Sequence, residues 1–204
     1  QLAMNGKGTP IYTNMSPVMS KFLWAAPEEK ADPQKAKQIL EEKKLLPIKF
    51  TLKVPNSSKI YLDTAQSIKE QLKEVGITVD LEIIEWATWL SDVYTNRKYE
   101  ASLAGLAGKM EPDAILRRYT STYAKNFTNF NNARYDALIE EAKRTSNEAK
   151  QIENYKEAQK ILAEEQAAIF LMDPNTIIAT EKGLEGFEFY PLPYFNFAKL
   201  YFKK

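Results

Sequence analysis

A strand, a helix and a second strand are predicted within Ile48–Ile84, which reads IKFTLKVPNSSKIYLDTAQSIKEQLKEVGITVDLEII. Residues Ile48–Val54 alternate apolar and polar side chains, as in a half-buried strand. Apolar residues recur at helical spacing over Ile60–Val75, and Gly76 follows where a glycine often ends a helix. Alternation returns over Ile77–Ile84. The pattern therefore predicts an α/β fold.

The next segment predicts where a ligand would bind. A second helix, Thr88–Asn96, leads into Ala101–Gly108, which we interpret as a strand that ends in glycines. Glycine lets the backbone approach a ligand closely, and ligands of open α/β sheets bind beyond the carboxyl ends of the strands. We therefore expect the working loop to be Gly105–Asp113.

Composition describes a globular chain and excludes several partners. The 204 residues are 44% hydrophobic and 27% charged, which fits one large domain or a domain with an extension. The net charge is +1 and the basic residues are dispersed, so neither nucleic acid nor an anionic membrane is a predicted partner. The apolar runs are too short for a direct membrane span.

Two residue types are missing from the sequence, and their absence limits the chemistry. Without cysteine there are no disulfides and no thiol catalysis, and without histidine there is no Ser-His-Asp triad. We predict no catalytic residue, no metal site and no cofactor. The start, Gln1–Gly8, has no long apolar segment of the signal-peptide type, so we expect the chain to continue from a longer protein.

The remaining chain is predicted as helices and short strands around irregular segments. Residues 1–27 are proline-rich and irregular, and within them Phe22-Leu23-Trp24 needs burial. The predicted helices begin at Asp32-Pro33 or span Asp113–Tyr119, Arg134–Thr145 and Glu148–Gln166. The predicted strands are Ala167–Met172 and Thr176–Thr180, separated by a turn at Asp173–Asn175, with short aromatic strands in the tail Gly183–Lys204.

Several separated segments resemble one family, the extracellular solute-binding proteins of family 5, which serve peptide-, oligopeptide- and nickel-type ABC importers. Their order and spacing across nearly the whole chain carry the resemblance. The segments are Asn5–Pro10 with Ser16-Pro17 after it, Asp32–Leu40, Ile68–Ile77, Glu111–Asp113 and Asn131–Ala142.

The resemblance implies a lobe of a type II periplasmic-binding-protein-like fold, with a mixed sheet flanked by helices. Residues 1–30 would lead from a missing N-terminal lobe, residues 31–180 would form the C-terminal ligand-binding lobe, and residues 181–204 would cross back toward the other lobe. Such a receptor closes on a small solute (peptide, sugar or chelate) and delivers it to ABC permease subunits. The implied location is periplasmic or extracellular, with a lipid anchor in the full-length parent.

One departure from the family pattern bears on the ligand. Peptide binders of the family usually carry G-W-x-x-D, whose aspartate receives the α-amino group of the peptide. Here Gly105 or Leu106 stands at the tryptophan position, and Gly108 or Lys109 at the aspartate position. A cationic amine has no obvious partner in this segment, so sugars and metal chelates stay open as ligands.

The predicted ligand-binding residues share a place in the expected loop or beside a strand end. They are Trp86, Gly105, Leu106, Ala107, Gly108, Lys109, Met110 and Asn129. Trp86 would stack on a ring or a peptide plane, Lys109 would meet an anionic group, and Asn129 would offer an amide. Trp89 is the better candidate for core packing.

Other polar residues allow alternative readings. Arg117 or Arg118 would clamp a carboxylate or simply be solvated on a surface helix. Glu111, with Asp113 or Glu85, would serve a carboxylate-dependent hydrolase, or would fix the loop structurally. A third hypothesis is a non-transport ligand sensor with the same fold.

Overall fold

The computed structural model describes residues 6–27, 30–190 and 194–203. Its strands are β1 (Gly8–Pro10), β2 (Ile48–Pro55), β3 (Ile77–Ile84), β4 (Ala101–Ser102), β5 (Met172–Pro174), β6 (Leu184–Glu185) and β7 (Tyr201–Phe202). Its α-helices are α1 (Pro33–Glu42), α2 (Lys59–Glu74), α3 (Trp86–Thr88), α4 (Pro112–Leu116), α5 (Ala133–Arg144) and α6 (Glu148–Glu164). A π-helical turn, Trp89–Thr95, continues α3, and 3₁₀ turns occur at Pro17–Met19, Arg117–Tyr119 and Phe197–Lys199.

Residues 48–110 form what we call the sheet unit. Strand β2 lies between β3 and β4 and is parallel to both, so the carboxyl ends of the three strands lie at one edge. Helix α2 covers one face, where Leu52, Val54, Ala65 and Val79 form a buried cluster. The Ser58 side chain caps the start of α2, and Gly76 follows its end with a φ of 89°, a left-handed conformation that suits glycine.

Helices α4, α5 and α6, the 3₁₀ turn Arg117–Tyr119 and residues 13–24 form what we call the helical unit. Its larger cluster includes Leu116, Tyr135, Ile139 and Leu162, all fully buried. The buried Gln159 side chain joins the two parts of this unit. It accepts hydrogen bonds from the Thr13 hydroxyl and the Trp24 backbone N–H, and it donates to the Phe22 carbonyl oxygen.

The segment Phe22-Leu23-Trp24 finds its burial largely within this chain. Phe22 and Leu23 pack against the core of the helical unit, and the Phe22 ring meets the Tyr155 ring edge-on at a centroid distance of 6.1 Å. The irregular N-terminal segment is therefore part of the helical unit's packing.

Two antiparallel strand pairs complete the architecture. Strand β1 pairs with β5, and β6 pairs with β7 in the tail. Together with the parallel sheet and its helices they give the mixed α/β architecture that was predicted, and the predicted fold class is confirmed.

The prediction fails over residues 167–180. The strand expected at Ala167–Met172 and the one expected at Thr176–Thr180 are both wrong, because each range lacks strand structure apart from Met172. The turn expected at Asp173–Asn175 is also wrong, since β5 lies there and pairs with β1. Phe170 packs edge-on against Tyr119 of the helical unit, while Ile169 is 79% exposed. The apolar run therefore serves side-chain packing, not strand pairing.

Smaller corrections concern element bounds. The strand expected over Ala101–Gly108 is only the two-residue β4, and the helix expected at Thr88–Asn96 begins earlier, at Trp86. The prolines of the tail at positions 191 and 193 lie outside the described residues, as do residues 1–5, 28, 29 and 204.

Candidate ligand-binding groove

A shallow open groove of about 480 Å³ lies at the carboxyl-end edge of the parallel sheet. Its lining comes from the turn after β2, the first turn of α2, the start of α3 and the loop after β4. The lining residues are Ser57, Tyr61, Trp86, Gly105, Leu106 and Ala107. This is the edge at which open α/β sheets bind ligands, because the strands end there and their connecting loops converge.

Trp86 presents an indole to the groove from a rigid support. Its ring stacks on Trp89, with the centroids 4.9 Å apart and the planes 5° from parallel. Trp89 is buried, and its indole N–H donates a 2.9 Å hydrogen bond to the Ser102 hydroxyl. Trp86 itself remains 39% exposed. Trp89 thus covers one indole face, and Trp86 also lines the groove.

Gly105 stands where the Tyr61 side chain approaches the loop backbone. A Cβ atom at position 105 would lie 2.7 Å from the Tyr61 hydroxyl oxygen, which is closer than real Cβ contacts. The phenol of Tyr61 therefore lies beside the loop, and both line the groove. Gly108 is different, because a Cβ atom there would meet nothing within 4 Å.

A side chain from the helical unit holds the loop in place. The Arg118 guanidinium donates a 3.0 Å hydrogen bond to the Ala107 carbonyl oxygen. Arg117 lies 3.7 Å from Asp113, one turn earlier. The sequence allowed either a carboxylate clamp or a solvated side chain for these arginines. In the structure, Arg118 instead binds the backbone of the loop.

Half of the eight predicted ligand-binding residues line the groove. These four are Trp86, Gly105, Leu106 and Ala107. Gly108, Lys109 and Met110 continue the same loop and are exposed, with Met110 at 64%. Whether these residues bind a ligand stays a prediction.

Asn129 lies in a separate turn and is not among the lining residues. Its φ of 58° is left-handed, a conformation that asparagine tolerates better than most residues. Asn126, three residues before Asn129, is buried. Its side-chain amide donates to the carbonyl oxygens of Tyr119, Thr120 and Phe130. Turn chemistry thus accounts for both asparagines, and a ligand contact by Asn129 stays a prediction.

The carboxylates of Glu111 and Asp113 influence the helical unit. Burial, together with the nearby charges of Asp113 and Glu111, raises the pKa of Tyr155 to about 12. Asp113 Oδ1 is buried and has no hydrogen-bond partner among the described residues. The two side chains therefore lie close to α6.

Two lining residues escaped the sequence analysis. Tyr61 and Ser57 line the groove but are not among the predicted ligand-binding residues. The position of Tyr61 in the sequence could have indicated its place in the groove. It lies in the first turn of a helix that directly follows a strand, and that turn faces the edge of the sheet where ligands bind.

Within residues 6–27, 30–190 and 194–203, no group of three or more acidic side chains is arranged to hold a metal ion. Over the same ranges, no helix has the length and apolar character needed to cross a membrane.

Comparison with known proteins identifies the family of this chain. Residues 1–127 match the model of bacterial extracellular solute-binding proteins, family 5. The oligopeptide-binding protein AppA of Bacillus subtilis is 31% identical over 145 residues, and the peptide transport periplasmic protein SapA of Haemophilus influenzae is 28% identical over 213 residues. The matched regions cover 70% and 94% of this chain.

Solved structures agree with the sequence matches. AppA of Bacillus subtilis, in complex with a nonapeptide, superposes with a TM-score of 0.80 at 28% identity, over 99% of this chain and 44% of AppA. DppA of Helicobacter pylori, at 21% identity, superposes with a TM-score of 0.83 over 98% of this chain and 40% of its own, which shows the shared fold.

The chain belongs to the family 5 extracellular solute-binding proteins, whose structures have the type II periplasmic-binding-protein fold. Members of this family are binding proteins of transporters. The sequence matches cover 27% of AppA and 37% of SapA, so the chain spans less than half of the length of these relatives.

Proposed function

We propose that this chain is the C-terminal ligand-binding lobe of an extracytoplasmic substrate-binding protein that captures peptides for an ABC importer. The observation that carries the proposal is the groove, which combines a supported indole with the loop Gly105–Ala107 at the sheet edge. Relatives named for oligopeptide and peptide transport support peptide as the ligand class.

The chemistry of the groove suits a ligand recognised by its backbone. All six lining residues are uncharged. Backbone groups of a loop can bond to the peptide groups of a ligand whatever its side chains, and Trp86 offers a flat apolar surface to a peptide plane. Gly108 extends this surface. A Cβ atom at position 108 would meet nothing within 4 Å and the φ of Gly108 is not positive, so the local structure does not itself require a glycine there. Lys109 and Met110 would reach the ligand from the rim.

Binding in this proposal needs a second wall. The groove is shallow and open, and tight sites bury most of a ligand's surface. Closure of a second lobe over the groove would supply the missing burial, so that residues 31–180 alone would bind weakly. Residues 1–30 and 181–204 would connect this lobe to the other, the receptor would act outside the cytoplasm on a lipid anchor, and permease subunits would accept the peptide.

The test uses the longest form of the protein that its gene encodes, purified without refolding and examined by native mass spectrometry. We expect a ladder of bound short-peptide masses. Trp86→Ala should remove the ladder, whereas Trp24→Ala, which changes an indole outside the groove lining, should retain it. A single discrete non-peptide mass would contradict peptide as the ligand class and favour a sugar or a chelate.

A further inference from the structure

A carboxylate stands at the rim of the groove, at the end of β3. Glu85 directly precedes Trp86, and its side chain is exposed. Its Oε1 atom accepts a 2.6 Å hydrogen bond from the Asn56 side-chain amide. Asn56 in turn directly precedes the lining residue Ser57. The pair Asn56–Glu85 therefore joins two of the segments that form the groove.

Asn56 holds this carboxylate in a defined position. The backbone N–H of Asn56 donates a 2.9 Å hydrogen bond to the Ile84 carbonyl oxygen, which ties the turn after β2 to the end of β3. The side-chain bond then engages one oxygen of Glu85. Because a carboxylate has two oxygens and about four acceptor positions, the other oxygen and further lone pairs remain able to accept hydrogen bonds.

The other charged groups near the groove have different surroundings. Lys59, two residues after Ser57, forms an ion pair with Asp63 on the next turn of α2. Glu111 and Asp113 lie near Tyr155 of the helical unit. Among the described residues, Glu85 is thus the acidic residue that stands next to the lining residue Trp86 in the chain.

An exposed indole and a carboxylate attract the same kind of group. Trp86 offers its open face, and tryptophan is the best aromatic partner for a cation. A carboxylate binds an ammonium group through charge-assisted hydrogen bonds, which are stronger than neutral ones. Glu85 and Trp86 are consecutive in the chain, so the two attractions act side by side at a groove whose lining residues are uncharged.

We infer that Glu85 and Trp86 together bind a primary ammonium group of the ligand, with Asn56 as the positioning residue for the carboxylate. The inference rests on the proposed function and specifies the ligand further: a peptide that carries a free α-amino group or a lysine side chain. The ammonium group lies against the indole face and donates to the free oxygen of Glu85.

The experiment offers three peptide probes to the longest form of the protein that its gene encodes. The first is a pool of tetrapeptides of Ala, Leu, Phe and Ser with free N-termini, the second is the same pool after N-acetylation, and the third is an acetylated pool with one Lys. Retention is measured by native mass spectrometry. We expect the first or the third pool to be retained at least about tenfold better than the second, as for one charge-assisted hydrogen bond.

The three pools separate the two sources of the ammonium group. Preference for the first pool assigns an α-amino group, and preference for the third assigns a lysine side chain. Equal retention of all three would overturn the inference and leave peptide binding standing. Retention of none would overturn the proposed function, and the inference with it.

Two matched variants assign the preference to Glu85. Glu85→Gln keeps an oxygen that accepts from Asn56 but removes the charge, and it should abolish the preference while the acetylated pool binds as before. Glu70→Gln is the control, since Glu70 is likewise exposed and accepts a 2.9 Å hydrogen bond from an amide, that of Gln66 on α2. An unchanged preference in Glu85→Gln would overturn the inference.

Discussion

The sheet unit and the helical unit treat their apolar residues differently. The helical unit buries a large cluster in which Leu116, Ile139 and Leu162 are fully covered by other side chains of this chain. The sheet unit has a smaller cluster and leaves several large apolar side chains exposed, including one that lines its groove. Among them are Ile83, Leu90, Leu106 and Met110.

The difference shows where stability and binding reside in this lobe. Apolar burial is the main favourable term in folding, so most of it comes from the helical unit. A groove, by contrast, works only if its apolar and backbone groups stay uncovered. Arg118 connects the two roles, because it belongs to the helical unit and holds the loop of the groove by the Ala107 carbonyl oxygen.

The largest effect should follow from a cavity in the helical unit. Leu162 is fully buried, so Leu162→Ala removes its transfer free energy and leaves a void, and we expect a loss of about 3 kcal/mol in the free energy of unfolding. Leu106→Ala, at a groove residue 43% exposed, should change that free energy by less than about 0.5 kcal/mol. Urea unfolding measures both, and equal losses would contradict the comparison.

Alkaline pH should weaken the helical unit through a buried tyrosine. Burial raises the pKa of Tyr119 from 10.0 to about 12, so below pH 10 the phenol is protonated in both states and its contribution is complete. Between pH 10 and 12 the unfolded chain loses this proton first, and stability falls by about 1.4 kcal/mol per pH unit from this group. Tyr119→Phe should reduce the measured slope by that amount. An identical slope in the variant would show that the phenol does not resist ionisation.

The sheet unit was predictable because its signals are local. Alternation over Ile48–Val54 and Ile77–Ile84 matches β2 and β3, and the helical spacing over Ile60–Val75, followed by Gly76, predicts the ends of α2 within a residue. Each of these signals acts between residues close in sequence, so the chain itself contains the information.

Residues 167–180 were not predictable for the opposite reason. Strand β5 exists because Asp173 faces Thr9 of β1, a pairing between distant parts of the chain. The groove shows the same division. Its edge follows from strand order, whereas the approach of Tyr61 to Gly105 and the bond from Arg118 depend on packing between elements.

A smaller effect should separate the two glycines of the loop. Gly105→Ala places a Cβ against the Tyr61 hydroxyl, and we expect a loss of about 1 kcal/mol in the free energy of unfolding. Tyr61→Phe removes that hydroxyl, so the loss should largely disappear when the two changes are combined. Gly108→Ala is the matched control and should leave the free energy of unfolding nearly unchanged. Equal losses in the two single variants would mean that contact with Tyr61 does not determine the glycine at 105.

The smallest effect should come from Asn129→Gly, in the turn Asn126–Phe130, which contacts both units. Phe127 packs edge-on against Trp89 of the sheet unit, and Phe130 packs edge-on against Tyr135 of the helical unit. Asn129→Gly keeps the left-handed conformation without strain, so the free energy of unfolding should change by less than about 0.5 kcal/mol, whereas Asn129→Ala should lose about 1 kcal/mol. Peptide retention by the longest form of the protein then decides the second question. Unchanged retention in Asn129→Gly would assign the asparagine to turn chemistry, and a loss would restore it as a ligand contact.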